Sequence, residues 1–72
     1  MIFSYEWQMN DFIEQYELIY NDELGQYIVD KEYYKIVINK WNKKILIYNK
    51  LNFICDEIFE MLKNYSFEKY ER

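Results

Sequence analysis

Two runs of alternating hydrophobic residues, only four residues apart, predict a β-hairpin in the middle of the chain. The runs are YYKIVIN (33–39) and KILIYN (44–49), and both are rich in the β-branched residues that favour strands. The residues between them, KWNK (40–43), are expected to form a tight turn, although they lack the Asn-Gly pair of the commonest hairpins. Along the first strand one face carries Tyr34, Ile36 and Ile38, and along the second Ile45 and Ile47 oppose Leu46 and Tyr48.

The residues before the hairpin change their hydrophobic period and predict a helix. IFSYEW (2–7) alternates and is expected to be a short strand, whereas residues 9–25 repeat at helical spacing. Asn10 is the expected N-cap, Asp11 suits the first turn, and Gly25 is the expected C′ residue. The hydrophobic stripe of this helix consists of Met9, Phe12, Ile13, Tyr16, Ile19 and Tyr20.

The remaining elements complete a small single α+β domain that spans residues 1–72. QYIVD (26–30) is expected to be a strand, Asn52 is expected to cap a second helix, and SFEKYER (66–72) should fray or extend that helix. The predicted order is therefore (β)αβββα, an antiparallel sheet with helices packed on one face. The stripe of the second helix consists of Leu51, Ile54, Cys55, Ile58, Met61, Leu62 and Tyr65.

In outline, the order αβββα over residues 9–65 resembles that of the double-stranded-RNA-binding domain. That family presents lysines at the start of its second helix, whereas the matching stretch here, NFICDEIFE (52–60), offers Asp56 and Glu57. RNA binding is therefore not carried over to this chain, and the sequence alone assigns no family.

The composition excludes most catalytic and cofactor chemistry. The chain has no His, one Gly and one Cys, so it offers no imidazole base, no glycine-rich phosphate loop and no zinc-thiolate cluster. The carboxylates are predicted on helix exteriors, and Cys55 lies on a hydrophobic stripe, where packing is its expected role. We therefore expect no enzymatic activity, no cofactor and no metal site.

The sequence also favours a cytoplasmic protein without a membrane partner. No hydrophobic run approaches the roughly 18 residues of a membrane span. The stretch MIFSYEWQMND (1–11) has neither the basic region nor the long hydrophobic region of a secretory signal. A single cysteine leaves no internal disulfide framework, which fits a reducing compartment.

The charges are sorted along the chain. Residues 1–30 contain seven acids and no Lys or Arg, whereas residues 31–50 contain six lysines and one acid, within a net charge of −4. This sorting predicts an acidic first helix and a basic hairpin.

The acidic helix is the first candidate site. Asp11, Glu14 and Glu17 follow at i, i+3 and i+6, so they should form a ladder of like charges that local stability does not favour. Asp22 adds an acid near the predicted helix C-terminus, where the macrodipole disfavours it. Leu18 is predicted on this same face, exposed and ringed by acids, which is typical of a partner-binding patch. The alternative is a solvated face that keeps a small protein soluble.

The basic hairpin is the second candidate site. Lys35, Lys40, Lys43 and Lys44 could follow a phosphate backbone while Trp41 stacks on a base. Alternatively, the lysines protect strand edges and Trp41 folds back onto the sheet. A third interpretation, which we favour over nucleic-acid binding, is that the hairpin balances the acidic helix within one chain or between chains.

Three functional hypotheses follow from these faces. The leading one is a non-enzymatic module that binds a protein partner with a basic surface, with the acidic helix standing in for phosphates. By analogy of charge and size, we expect a phage- or mobile-element-encoded inhibitor of a host nucleic-acid-handling protein, the functional class of anti-restriction and anti-CRISPR proteins, and the residue usage indicates an A+T-rich genome. The alternatives are a nucleic-acid-binding module that uses the hairpin, and a self-associating protein such as a homodimer, to which nine tyrosines and two tryptophans are suited.

Overall fold

The computed structural model describes residues 1–68 and confirms the α+β class, with two helices, a four-stranded antiparallel sheet and a two-stranded sheet. Residues 69–72, the end of the segment expected to fray or extend the second helix, lie outside the described residues. The elements in chain order are β1 (Ile2–Phe3), α1 (Glu6–Gln15), β2 (Ile19–Asn21), β3 (Gln26–Asp30), β4 (Tyr34–Asn39), β5 (Ile45–Asn49), α2 (Asp56–Asn64) and β6 (Phe67–Glu68).

The predicted hairpin is confirmed as β4 and β5, in the register that pairs Ile38 with Ile45. The larger sheet has the order β2-β3-β4-β5, so β5 and β2 are its edge strands. Asn39 takes the place of the missing Asn-Gly turn signal, because its Oδ1 accepts the backbone N–H of Trp41 at 2.8 Å and that of Asn42 at 3.1 Å.

One face of the sheet and both helices share a single core. Tyr34, Ile36 and Ile38 of β4 are buried, as expected for strand residues that alternate between two faces. They pack in one cluster with Phe12 of α1 and Met61 of α2, both fully buried. The prediction of helices on one face of an antiparallel sheet is therefore confirmed.

The predicted bounds of the first strand and the first helix were wrong. The strand IFSYEW shrinks to β1, because α1 already begins at Glu6 with Tyr5, rather than Asn10, as its N-cap. Tyr5 and Trp7 are exposed, whereas Phe3 alone of the alternating face is buried. Helix α1 ends at Gln15 instead of continuing toward Gly25.

The early end of α1 is a Schellman motif without glycine. Glu17 adopts a left-handed φ of 58°, the conformation that usually selects Gly at C′. Its N–H donates to Glu14 O at 3.3 Å, and the N–H of Leu18 donates to Ile13 O at 3.0 Å, which are the two bonds of that motif. The next residues leave the helix axis and form β2, which pairs with β3 through Ile19 and Ile28.

Gly25 does not end a helix but closes the turn between β2 and β3. It has a φ of 64°, and its N–H donates to Asn21 O at 2.9 Å. A side chain there would meet a second constraint, because an added Cβ would lie 3.0 Å from Nε1 of Trp41 and the indole would have to shift. The hairpin tip therefore rests on this turn, and Lys40 N–H donates to Gly25 O at 3.1 Å.

The second helix begins later than predicted, and the chain after it forms a strand. Helix α2 begins at Asp56 with Cys55 as N-cap, so the prediction of Asn52 as the cap was wrong. Strand β6 pairs with β1 through Phe67 and Phe3. Because β2 and β6 were both missed, the order βαββββαβ departs from the αβββα outline of the double-stranded-RNA-binding domain. No helix within residues 1–68 has both the length and the hydrophobicity needed to cross a bilayer.

Candidate functional site

The helix layer is predominantly acidic, whereas the larger sheet and its loops hold the lysines together with four acids, Asp22, Glu23, Asp30 and Glu32. Helix α1 carries three acids and no cation, and α2 carries three acids against one cation. The strands and loops of the larger sheet carry all six lysines of residues 31–50. The acids of the helix layer are Glu6, Asp11, Glu14, Asp56, Glu57 and Glu60, and its cation is Lys63.

The predicted acidic ladder is shorter than expected. Asp11 and Glu14 are exposed on α1, but Glu17 lies beyond its end and Asp22 lies in the turn between β2 and β3. Leu18 is the clearest correction, because it is 7% exposed and belongs to the core cluster. As the residue after the left-handed Glu17, it occupies the C″ position, which commonly carries a hydrophobic residue that packs back on the helix. It therefore offers almost no surface to a partner.

Helix α2 extends the acidic surface in a way that the sequence interpretation missed. The pKa of Tyr16, just after α1, is raised by burial and then by the negative charges of Glu60 and Glu57. These two acids of α2 therefore lie close enough to Tyr16 for their charges to act on its hydroxyl. Their i, i+3 spacing was visible in the sequence, but nothing there indicated which flank of α2 would meet α1.

Two tyrosine hydroxyls hold carboxylates of this surface in place. Tyr34 donates to Oε2 of Glu57 at 2.7 Å, and Tyr65 donates to Oδ2 of Asp11 at 2.9 Å. Burial, followed by these hydrogen bonds, raises the pKa of both tyrosines above the usual value of a phenol. Each hydrogen bond fixes a carboxylate that remains exposed and keeps further lone pairs for a partner.

The hairpin lysines are only partly brought together. Nζ of Lys40 lies 5.0 Å from the ring centroid of Trp41 and 5.1 Å from that of Tyr20. Trp41 contacts the Gly25 turn yet is 78% exposed. Lys43 lies in the same turn in a left-handed conformation, whereas Lys35 pairs across strands with Asp30 and Tyr48.

Within residues 1–68, ion pairs do not connect the positive charges of the hairpin to the negative charges of the helices, although the third interpretation expected them to do so. Lys50 pairs with Asp30, which keeps that ion pair on the sheet side. No ion pair in the described part joins Lys35, Lys40 or Lys43 to an acid of α1 or α2. Lys44 is half-buried beside β1, where it forms an isolated bridge with Ile2.

Residues 1–68 contain no group of three or more Asp, Glu or Cys side chains placed to hold a metal ion. Cys55 is a half-buried free thiol at the start of α2. In comparisons with known proteins, no family model, curated protein or solved structure matched this chain.

Proposed function

We propose that the chain is a non-enzymatic protein-binding module whose helix layer occupies a basic surface of a nucleic-acid-handling protein. The observation that carries this proposal is the separation of charge, because the helix acids are left without ion pairs to the hairpin lysines Lys35, Lys40 and Lys43. A cytoplasmic location fits such a partner.

Local stability does not account for the acids Asp11 and Glu14 of α1. The helix has no Lys or Arg to relieve the pair Asp11 and Glu14, and Glu14 lies in the last turn, where the macrodipole disfavours a negative charge. Each effect costs a few tenths of a kcal/mol. The cations of a basic partner would attract these acids, which would offset the repulsion between them and would also speed association.

The carboxylates suit a surface that normally binds phosphates. Lysine and arginine side chains bind carboxylates and phosphates alike through charge-assisted hydrogen bonds. Asp11 and Glu57 are held by tyrosine hydroxyls, so less conformational freedom is lost when they meet a partner. We assign the contact surface to these two residues with Glu14, Glu17 and Glu60, and leave out Asp22, which lies in the β2–β3 turn. A phage or mobile-element inhibitor of the anti-restriction or anti-CRISPR class is the biological role that this mimicry suggests.

A nucleic-acid-binding module that uses the hairpin is the second candidate. It is favoured by the exposed indole of Trp41 beside Lys40, an arrangement that could stack on a base and pair with a phosphate. The net charge of −4 opposes it, because long-range repulsion slows approach to a polyanion.

A lysate capture with matched charge reversals separates the two candidates. The immobilised chain is incubated with nuclease-treated host lysate, and the captured proteins are identified by mass spectrometry. We expect nucleic-acid-binding proteins, lost with Glu14→Lys/Glu17→Lys and retained with Lys40→Glu/Lys43→Glu. The side chains of Glu14 and Glu17 make no hydrogen bond or ion pair within residues 1–68, so their reversal should leave the fold intact. The proposal is contradicted if the chain captures no nucleic-acid-binding protein. It is also contradicted if the Glu14→Lys/Glu17→Lys variant captures the same proteins as the unaltered chain.

A further inference from the structure

We propose that the chain forms a two-fold symmetric homodimer in which β5 pairs with β5 of a second copy and the two α2 helices pack beside each other. The proposal rests on an open strand edge and a hydrophobic helix flank that lie on the same side of the molecule. It is independent of the acidic surface proposed above.

The edge of β5 is only half covered. Lys44 O accepts from Asn39 N–H at 2.8 Å, toward β4, whereas Ile45 N–H donates away from β4 to Met1 O at 2.9 Å. Because alternate residues of an antiparallel strand point their backbone groups the same way, Ile47 and Asn49 also point theirs outward. No backbone group among residues 1–68 accepts from Ile47 N–H. The half of β5 beyond Ile45 is therefore open.

Nothing in β5 protects this open edge. The strand ILIYN contains no charged residue and no proline, the two features that usually prevent edge pairing. The opposite edge strand, β2, has only three residues. We therefore take the open half of β5, rather than β2, as the edge that accepts another strand.

A hydrophobic groove lies between this edge and α2. It has a volume of about 320 Å³, and its lining includes Ile47, Ile54 and Leu62. Ile54 is 58% exposed and Leu62 is 39% exposed. Phe59 adjoins Leu62 on the helical wheel and is also exposed. Glu57, which accepts a hydrogen bond from Tyr34, lies on a different side of α2 from Leu62.

A second copy covers both features at once. An isolated extended peptide would pair with the edge but leave Phe59 and Leu62 in water. A copy related by a two-fold axis adds its own β5 antiparallel, with Ile47 facing Asn49 of the second copy, and brings its own α2 alongside. The result is one eight-stranded sheet with the helices on one face.

The charges of α2 fit this antiparallel arrangement. Asp56, Phe59 and Lys63 follow at i, i+3 and i+7, so they share one stripe of the helix. When two α2 helices run antiparallel about Phe59, Lys63 of one copy lies opposite Asp56 of the other. The same contact occurs twice, and a parallel arrangement would instead oppose like charges.

Sedimentation equilibrium tests the dimer at concentrations up to about 1 mM, the weak end of specific association. The expected mass is twice the 9.2 kDa of the chain. Leu62→Glu should give a monomer, whereas Ile19→Glu, which alters an exposed residue of the other edge strand, should remain dimeric. A monomeric wild type, or a Leu62→Glu variant that stays dimeric, overturns the proposal.

A charge swap tests the arrangement even if Leu62→Glu fails to fold. Asp56→Lys alone and Lys63→Glu alone should each weaken the dimer by about tenfold, and the double variant should restore it. In the wild type, amide exchange at Ile47 and Asn49 should be slow, and it should become fast in the monomeric variant. If the wild type is a dimer but both amides exchange fast, or if the double variant does not regain dimerisation, the dimer uses a different surface and the proposal is overturned. Glu14→Lys should not change the mass, so failure of this proposal is distinguishable from failure of the acidic surface.

Discussion

Replacing Glu17 with glycine should stabilise the protein. The left-handed conformation at this position costs an L-residue about 1–2 kcal/mol. Glycine avoids that cost, but it loses about 0.5–1 kcal/mol more conformational entropy on folding. The net expectation for Glu17→Gly is a gain of about 0.5–1 kcal/mol in the free energy of unfolding, which raises Tm by about 2–8 °C in a domain of this size.

Two control substitutions separate backbone conformation from charge. Glu14→Gly removes the same charge three residues earlier, inside α1, and should lower the free energy of unfolding by about 1 kcal/mol. Glu17→Ala removes the charge but keeps the left-handed cost, so it should change stability little. Urea unfolding followed by far-UV circular dichroism measures all three variants. Destabilisation by Glu17→Gly, or an equal gain from Glu17→Ala, would refute the assignment of a Schellman motif at this residue.

Three further perturbations test the packing, the tyrosine hydrogen bonds and the β2–β3 turn. Leu18→Ala should lower the free energy of unfolding by about 2–4 kcal/mol, measured by urea unfolding; a loss below about 0.5 kcal/mol would mean that Leu18 is exposed. Because the folded-state pKa values of Tyr34 and Tyr65 are raised, the stability that these two side chains contribute to the fold is present below pH about 10 and is lost as pH rises further. The midpoint of urea unfolding should therefore fall as the pH is raised from 9 to 11.5. It should fall less steeply in the Tyr34→Phe variant, and an unchanged dependence on pH in that variant contradicts the hydrogen-bond assignment. Gly25→Ala should cost about 1 kcal/mol or more and shift the fluorescence of Trp41, whereas an unchanged spectrum and stability would place the indole elsewhere.

The hairpin could be predicted because its signal is local and redundant. Alternation, β-branching and a short polar turn all indicated strands at residues 33–39 and 44–49, and the core placement of Tyr34, Ile36 and Ile38 follows from that period. The fold class followed because a two-faced sheet and a hydrophobic helix stripe must bury one another.

The end of α1 could not be predicted from propensity. The usual stop signal is a glycine at C′, but here Glu17 adopts that conformation and the nearest glycine lies eight residues later. Ile19 and Tyr20 also continue the helical spacing, although they form β2. A strand of three residues carries too little pattern to outweigh a longer helical one, and pairing with β3 decides the outcome.

The sequence predicted that the candidate site is acidic, but it did not predict which residues of α2 join those of α1 on its surface. The sequence located Asp11 and Glu14 on a helix, yet the contribution of Glu57 and Glu60 depends on how α2 packs against α1. That packing involves Tyr65, which lies 54 residues from Asp11 in the chain. Contacts of this separation are invisible to periodicity, which compares only near neighbours.

Competition with DNA tests the proposed phosphate mimicry most directly. A captured partner is bound to a labelled duplex oligonucleotide, and the chain is added in increasing amounts while fluorescence anisotropy is recorded. If the helix layer mimics phosphates, the chain should displace the oligonucleotide at about one chain per partner site, and the Glu14→Lys/Glu17→Lys variant should not. A ternary complex that holds the chain and the oligonucleotide together would contradict the central claim that the acidic helix layer occupies a nucleic-acid-binding surface.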